Sequence, residues 1–215
     1  MLWKTIAAAL VFASVGAGGK IQGTVRDPTG RPVQGAHVVA LDIMHPHTGP
    51  GLEANSGPDG RFDLPSTEPP GTKLAFWAGK PADFYPEMAG AFYTNRELEI
   101  IPVPASGVLA GLNVYLAPQC GRLVGTVADA ASGAPVVPQI SMWRQGNSKS
   151  YFGTAGSLKG EIDVLVPTVP VVLYIRAAGY RDWYYPGTSI AARARPLKVS
   201  ARQTLKLRVI MQKLP

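Results

Sequence analysis

Lys20-Ile-Gln-Gly-Thr-Val-Arg-Asp27 is the stretch that predicts the fold of this chain, because it recurs as Arg122-Leu-Val-Gly-Thr-Val-Ala-Asp129. Both copies alternate apolar or small residues with polar ones, which is the pattern of a β-strand half buried on a core. The copies lie about 100 residues apart, as do Tyr85-Pro86 and Tyr185-Pro186. We infer that one module of about 100 residues is used twice.

The composition agrees with two folded modules. The chain has 215 residues, of which 46% are hydrophobic and 16% are charged, and these fractions exclude a disordered protein. A module of about 100 residues is large enough to bury a core of its own. The 24 glycines and 20 prolines favour many turns between short strands.

Strand patterns fill both modules. In the first module we predict strands at 21–26, 33–43, 52–57, 61–64, 73–78, 97–102 and 111–116. In the second module we predict them at 122–128, 137–143, 151–155, 161–166, 171–177, 196–200 and 204–211. His37, Val39, Leu41 and Ile43 share one face of the second strand, and Asp59-Gly60 predicts a hairpin between the third and fourth.

No window beyond the N-terminal segment has a helical period. The predicted fold class is therefore all-β, with two tandem β-sandwiches of about seven strands each. We place the first sandwich at 18–117 and the second at 120–215.

Residues 1–17 have the pattern of a secretory signal peptide. Lys4 precedes an apolar run at 6–15, and small residues follow at Gly16 and Ala17, where a signal peptidase would cleave. The run is too short to cross a bilayer core of about 30 Å as a helix. We predict a chain exported to the periplasm or the extracellular space, with no membrane span after cleavage. The alternative is that the segment is kept as a weak anchor.

Several motifs resemble a known family. Gly23-Thr-Val-Arg-Asp27, Gly35-Ala36, Asp59-Gly-Arg-Phe-Asp-Leu64 and Pro70-Gly71 are similar to the carboxypeptidase regulatory-like domain, a prealbumin-like or carbohydrate-binding-like sandwich. Trp183-Tyr-Tyr-Pro-Gly-Thr188 looks like the tandem form of that domain in exported bacterial proteins. The resemblance implies a noncatalytic module, since the matching positions are turns and core.

Catalytic arrangements are sparse. His45-Pro46-His47 has the spacing of two iron ligands in intradiol dioxygenases, which this sandwich also resembles. Here, however, the pair precedes every tyrosine, and His37 is the one further histidine. An iron enzyme is therefore a distant alternative. A hydroxyisourate hydrolase-like activity would need a different C-terminus from Met211-Gln-Lys-Leu-Pro215. We predict no catalytic residue, no metal site and no cofactor, and we expect the lone Cys120 to be a small buried side chain.

Aromatic residues concentrate near the link that follows the fifth strand of each module. We expect these rings to close one end of each sandwich, because aromatic side chains bury large apolar areas. The alternative is a carbohydrate-binding module in which the rings stack on glycans. The candidate glycan-binding residues are Trp77, Phe84, Tyr85, Trp183, Tyr184 and Tyr185.

Positive charge collects at the C-terminal end. The formal net charge is +7, and no acidic residue follows Asp182. In an exported protein such a segment could bind an anionic envelope polymer, whereas nucleic acid is not a predicted partner. The alternative is a solvated edge strand whose lysines prevent pairing with other chains. The candidate anion-binding residues are Arg193, Arg195, Lys198 and Arg202. We predict a scaffold or interaction protein with an unknown protein partner.

Overall fold

A computed structural model describes residues 19–45, 51–66, 68–87, 93 and 98–215. The predicted signal peptide and His47 lie outside these residues. The strands of the first module are β1 (Lys20–Arg26), β2 (His37–Asp42), β3 (Leu52–Asn55), β4 (Arg61–Pro65), β5 (Lys73–Gly79), β6 (Glu99–Pro102) and β7 (Val108–Tyr115). Those of the second are β8 (Gly121–Asp129), β9 (Gln139–Arg144), β10 (Asn147–Ala155), β11 (Glu161–Val166), β12 (Val171–Arg176), β13 (Trp183–Tyr184) and β14 (Thr204–Met211). Within the described ranges, helix is confined to two short 3₁₀ turns, Pro81–Asp83 and Ala191–Arg193.

Both modules have the same strand order. The first consists of a β4-β1-β7 sheet and a β3-β2-β5-β6 sheet, and the second of a β11-β8-β14 sheet and a β10-β9-β12-β13 sheet. In each module the first strand pairs in parallel with the last and antiparallel with the fourth. The prediction of an all-β chain built from two tandem sandwiches is confirmed. The exact domain limits stay a prediction.

The repeated Gly-Thr-Val stretch is explained by the packing of the first strand. Ile21 and Val25 in β1, and Leu123 and Val127 in β8, are buried in the two cores. The glycine between each pair lies against the parallel last strand, and a Cβ there would collide with a backbone carbonyl oxygen of that strand. Glycine is therefore needed for the close approach of the two chain segments.

A buried aspartate ends the first strand of each module. The Asp27 carboxylate accepts hydrogen bonds from the backbone and side chain of both Thr29 and Arg31. The Asp129 carboxylate accepts them from the backbone of Ala131 and from the backbone and hydroxyl of Ser132. These bonds stabilise the ionised form, so the pKa of each aspartate falls to about 2. Both aspartates hold the turn that follows the strand.

The predicted Asp59-Gly60 hairpin is wrong. The turn itself forms, since the Gly57 N–H donates to the Arg61 carbonyl at 2.7 Å. However, β3 pairs with β2 in one sheet and β4 pairs with β1 in the other, so the turn crosses between the two layers. The second module has the same turn, in which the Ser157 N–H donates to the Glu161 carbonyl at 3.1 Å. An identical connection therefore forms without an Asp-Gly pair.

Three details of the strands also differ from the sequence-based expectation. The 196–200 segment is not a strand, although Leu197 exchanges two backbone hydrogen bonds with Val171 and is buried. β13 was not predicted. On β2 the face with His37, Val39 and Leu41 is only half buried, whereas Val38 and Ala40 on the opposite face lie in the core.

Candidate functional site at the module junction

The aromatic candidates are distributed between core and surface. Trp183 is 7% exposed and belongs to the core of the second module. Tyr184 and Tyr185 beside it are half buried, as are Phe84 and Tyr85 in the first module. Trp77 is also half buried, on β5, and packs against the cluster that forms the second core. Trp183 therefore presents no free ring face for a glycan, and binding by the other rings stays a prediction.

Tyr184 belongs to a group of rings on the outer face of the second module. Its ring stacks on that of Tyr174 with centroids 4.7 Å apart, and Trp143 meets Tyr174 edge to face at 6.5 Å. The Tyr174 hydroxyl donates to Asp182 at 2.9 Å. Because these rings contact one another, their mutual packing covers the sheet formed by β9, β12 and β13.

Tyr93 is an aromatic residue whose role the sequence did not reveal. It lies in the link between β5 and β6 of the first module, yet it is 7% exposed within the core of the second. Its hydroxyl donates to the Leu165 carbonyl on β11 at 3.1 Å, and its ring meets Phe152 edge to face at 5.8 Å. Burial raises its pKa well above the ordinary value. Tyr93 thus joins the two modules.

Two hydrogen bonds from residues between the last strand of the first module and the first strand of the second strengthen this connection. The Cys120 N–H donates to the Phe84 carbonyl at 2.8 Å, and the Gln119 side-chain amide donates to the Asp83 carbonyl at 3.0 Å. The Arg202 N–H in turn donates to the Cys120 carbonyl at 2.8 Å. Cys120 is 1% exposed, and burial raises the pKa of its thiol to about 12. The thiol is therefore a packing group, as the sequence suggested.

An open cleft of about 430 Å³ lies at this junction. Residues from both modules line it, so its shape depends on how the modules are joined. This volume lies within the range of about 300–1,000 Å³ that is usual for ligand pockets. The lining residues are Asp27, Arg31, Pro32, Val33, Gln34, Asp83, Tyr85, Gln119 and Arg202.

Two of the predicted site residues meet in this cleft. Tyr85 comes from the aromatic set and Arg202 from the basic set, and the two are close enough for the charge of Arg202 to lower the pKa of Tyr85. Burial is the larger effect and raises the pKa of Tyr85 overall. Arg193, Arg195 and Lys198 are exposed but do not line the cleft. Of the basic candidates, the structure therefore places Arg202 beside an aromatic ring.

Each of the two histidines in the described ranges lies near a carboxylate. His45 Nδ1 lies 2.9 Å from Asp42, and His37 Nε2 lies 3.3 Å from Glu53 on the neighbouring strand. Among the described residues, no three metal-binding side chains form a group. The same residues contain no helix long and apolar enough to cross a membrane.

Comparisons with known proteins identify no family. No protein-family model matches the chain, and no curated protein matches it either. Among solved structures, 92% of the chain aligns with 34% of the Bacillus anthracis TIE protein at 13% identity and a TM-score of 0.37. A streptococcal ancillary pilin aligns over 93% of this chain and 63% of its own, at 10% identity and a TM-score of 0.37.

A minor pilin of Streptococcus agalactiae aligns over 92% of this chain and 97% of its own, at 12% identity and a TM-score of 0.33. The chain therefore spans about a third of the first of these proteins and less than two thirds of the second. TM-scores this low do not establish a shared family. The strand order described above rests on the hydrogen bonds of this chain alone.

Proposed function

We propose that this protein is an exported, noncatalytic interaction scaffold built from two carboxypeptidase regulatory-like modules held in a fixed arrangement. The observation that carries the proposal is Tyr93, a residue of the first module that is buried in the core of the second. A flexible linker would leave such a side chain in water. A fixed arrangement instead gives a partner one continuous surface made from both modules.

The chemistry of the described residues supports a binding role over a catalytic one. The lowered pKa values of Asp27 and Asp129 belong to carboxylates that hold turns, and the raised values of Tyr93 and Cys120 belong to side chains buried in a core. Such shifts arise in structural networks as well as in active sites. Export is supported by the signal-like pattern at residues 1–17.

Calorimetric unfolding of Tyr93→Ala tests the fixed arrangement. We expect the wild-type protein to unfold in one cooperative transition, because the second core is incomplete without a residue of the first module. Tyr93→Ala should lose about 3 kcal/mol and show two transitions, since a buried aromatic ring is removed. Tyr93→Phe is the matched control, and it should keep one transition and lose about 1 kcal/mol with the hydroxyl. Two independent transitions in the wild-type protein would contradict the proposal.

Export is tested by cell fractionation. The chain is expressed in its native host with and without residues 1–17, and only the longer chain should be found outside the cytoplasm.

The scaffold role itself is tested by capture of partners from an envelope extract. Cross-linked partners should be retained by the wild type and by Tyr93→Phe. They should be lost from Tyr93→Ala if binding needs both modules. Failure of the wild type to retain any partner contradicts the scaffold role.

A further inference from the structure

We propose that the cleft at the module junction binds an acidic saccharide, with the Arg202 guanidinium pairing with the sugar carboxylate and the Tyr85 ring packing against the sugar. The inference rests on the proposed fixed arrangement of the modules, because Tyr85 and Arg202 come from different modules. It adds to that function the chemical class of the ligand.

The charges at the cleft predict an anionic ligand. Two cations near it are already paired: Arg31 lies 2.9 Å from Asp27, and Lys80 lies 2.6 Å from Asp83. Arg202 is exposed, and its side chain forms no ion pair with any residue that the structure describes. One positive charge therefore remains uncompensated, which fits a single carboxylate. A guanidinium binds a carboxylate through two parallel hydrogen bonds.

The backbone holds Arg202 in place. Its φ angle is +62°, in the left-handed region that non-glycine residues seldom adopt. The bond from its N–H to the Cys120 carbonyl fixes this conformation at the junction. Left-handed backbone at a non-glycine residue costs about 1 kcal/mol or more, and such strain often marks functional positions.

The rest of the lining favours a sugar over a peptide. Tyr85 is half buried against the first core, so one part of its ring is fixed and another part faces the cleft. Asp83 offers acceptor oxygens, while Arg31 offers donors and the Gln119 amide both. Sugar hydroxyls both donate and accept hydrogen bonds, so they match such a mixed lining. A peptide rich in acidic side chains would instead place several negative charges beside Asp27 and Asp83.

The test measures binding of three probes to the full chain by titration calorimetry at low salt. The probes are a short oligosaccharide that carries one uronic acid residue, its neutral counterpart of the same length and linkage, and a glutamate-rich peptide. We expect the acidic oligosaccharide to bind about tenfold more tightly than the neutral one, since a charged hydrogen bond is lost in the latter. Equal binding of the two sugars, or tighter binding of the peptide, would overturn the proposal.

Matched variants locate the site. Arg202→Gly removes the charge and relieves the left-handed strain, so it should weaken binding of the acidic oligosaccharide about tenfold without loss of stability. Lys198→Gln removes an exposed cation outside the cleft and should leave binding unchanged. Tyr85→Ala should weaken both sugars, whereas Tyr85→Phe should keep the stacking contribution. Unchanged binding by Arg202→Gly would refute the assignment.

Failure of the binding test is distinguishable from failure of the scaffold role. A single calorimetric transition with no binding of the acidic sugar would support the fixed arrangement of the modules and contradict only the proposed ligand. Two transitions in the wild-type protein would contradict the fixed arrangement of the modules, and with it both the cleft and the proposed ligand.

Discussion

The links that follow the fifth strand of each module are placed differently in the two copies. In the second module the link returns to its own sheet as β13, where Trp183 enters the core and Tyr184 stacks on Tyr174 at 4.7 Å. In the first module Tyr93 of the corresponding link lies in the core of the other module. Trp77, on the outer face of β5, also packs against that second cluster.

The difference shows how a contact between two copies of a duplicated module can form without a change in the sheets. Strand order, the buried aspartate and the turn that crosses between sheets are the same in both copies. In the second copy the link adds β13 to the edge of its sheet, whereas in the first copy Tyr93 of the link lies in the core of the other module. In the second module, Trp183 and Tyr184 of the link pack within their own module. In the first module, Tyr93 of the link packs into the neighbouring module.

The largest predicted effect tests the two faces of the second link. Trp183→Ala should lower the free energy of unfolding by about 3–5 kcal/mol, because a buried indole is removed. Tyr184→Ala, one residue along on the outer face, should cost about 1 kcal/mol through the loss of ring stacking. Urea unfolding of both variants measures the difference. A Trp183→Ala protein of unchanged stability would show that the ring is not in the core.

A second prediction tests whether the two crossing turns are equivalent. Gly60 and Gly160 have φ angles of +77° and +74°, and a Cβ would lie 3.0 Å from the Val25 carbonyl oxygen and 2.6 Å from that of Val127. Substitution of either by alanine should cost about 2–4 kcal/mol, measured by urea unfolding.

Two other glycines provide the controls for this prediction. Gly30 and Gly133 also have positive φ angles, but a Cβ on either would meet nothing within 4 Å. Their alanine variants should cost only about 1 kcal/mol, the cost of the left-handed backbone alone. Equal costs at all four glycines would mean that close packing of the turn is unimportant.

A third prediction concerns pH. Because the folded-state pKa values of Asp27 and Asp129 are lowered to about 2, their ionised forms stabilise the fold. This contribution is complete above about pH 4 and is lost as the pH falls toward 2. The melting temperatures of Asp27→Asn and Asp129→Asn should therefore lie several degrees below that of the wild type at neutral pH. In thermal unfolding experiments this difference should shrink as the pH falls toward 2.

Added salt should change the melting temperatures of these two variants differently, by less than pH does. Asp27 pairs with the exposed Arg31 at 2.9 Å, whereas the nearest cation to Asp129 is Lys213 at 4.0 Å. Added salt should narrow the melting gap of Asp27→Asn slightly and leave that of Asp129→Asn nearly constant, because exposed ion pairs are screened. The reverse order would contradict the assigned contacts.

Strands with a strong local pattern were predictable from the sequence, and positions set by distant contacts were not. Alternation in Leu205, Leu207, Val209 and Met211 gave β14 its correct limits, because one side of that strand faces the core. The 196–200 segment has a similar apolar pattern, but it begins with Pro196, which has no N–H to donate, and its pairing with the sheet is limited to one bridge between Leu197 and Val171. Alternation reports burial, and it does not report hydrogen bonding to a neighbour.

The candidate site was predictable only in its components. Tyr85 and Arg202 stood out by residue type, yet nothing local indicates that residues so distant in sequence share one cleft. Tyr93 belonged to the aromatic residues that follow the fifth strand, but the sequence did not indicate that its partners Phe152 and Leu165 belong to the other module. The Asp59-Gly60 pair predicted a turn correctly and its strand pairing wrongly, since a turn does not specify which sheet each arm joins.

The parallel pairing of first and last strands has a mechanical consequence. Chain entry at the start of β1 and chain exit at the end of β7 lie at opposite ends of that pair, and β8 and β14 are arranged alike. A pull on the two ends of a module would therefore load all of the hydrogen bonds between those strands at once, in shear. Bonds loaded together resist force better than bonds opened one after another, so each sandwich is suited to bear tension along the chain.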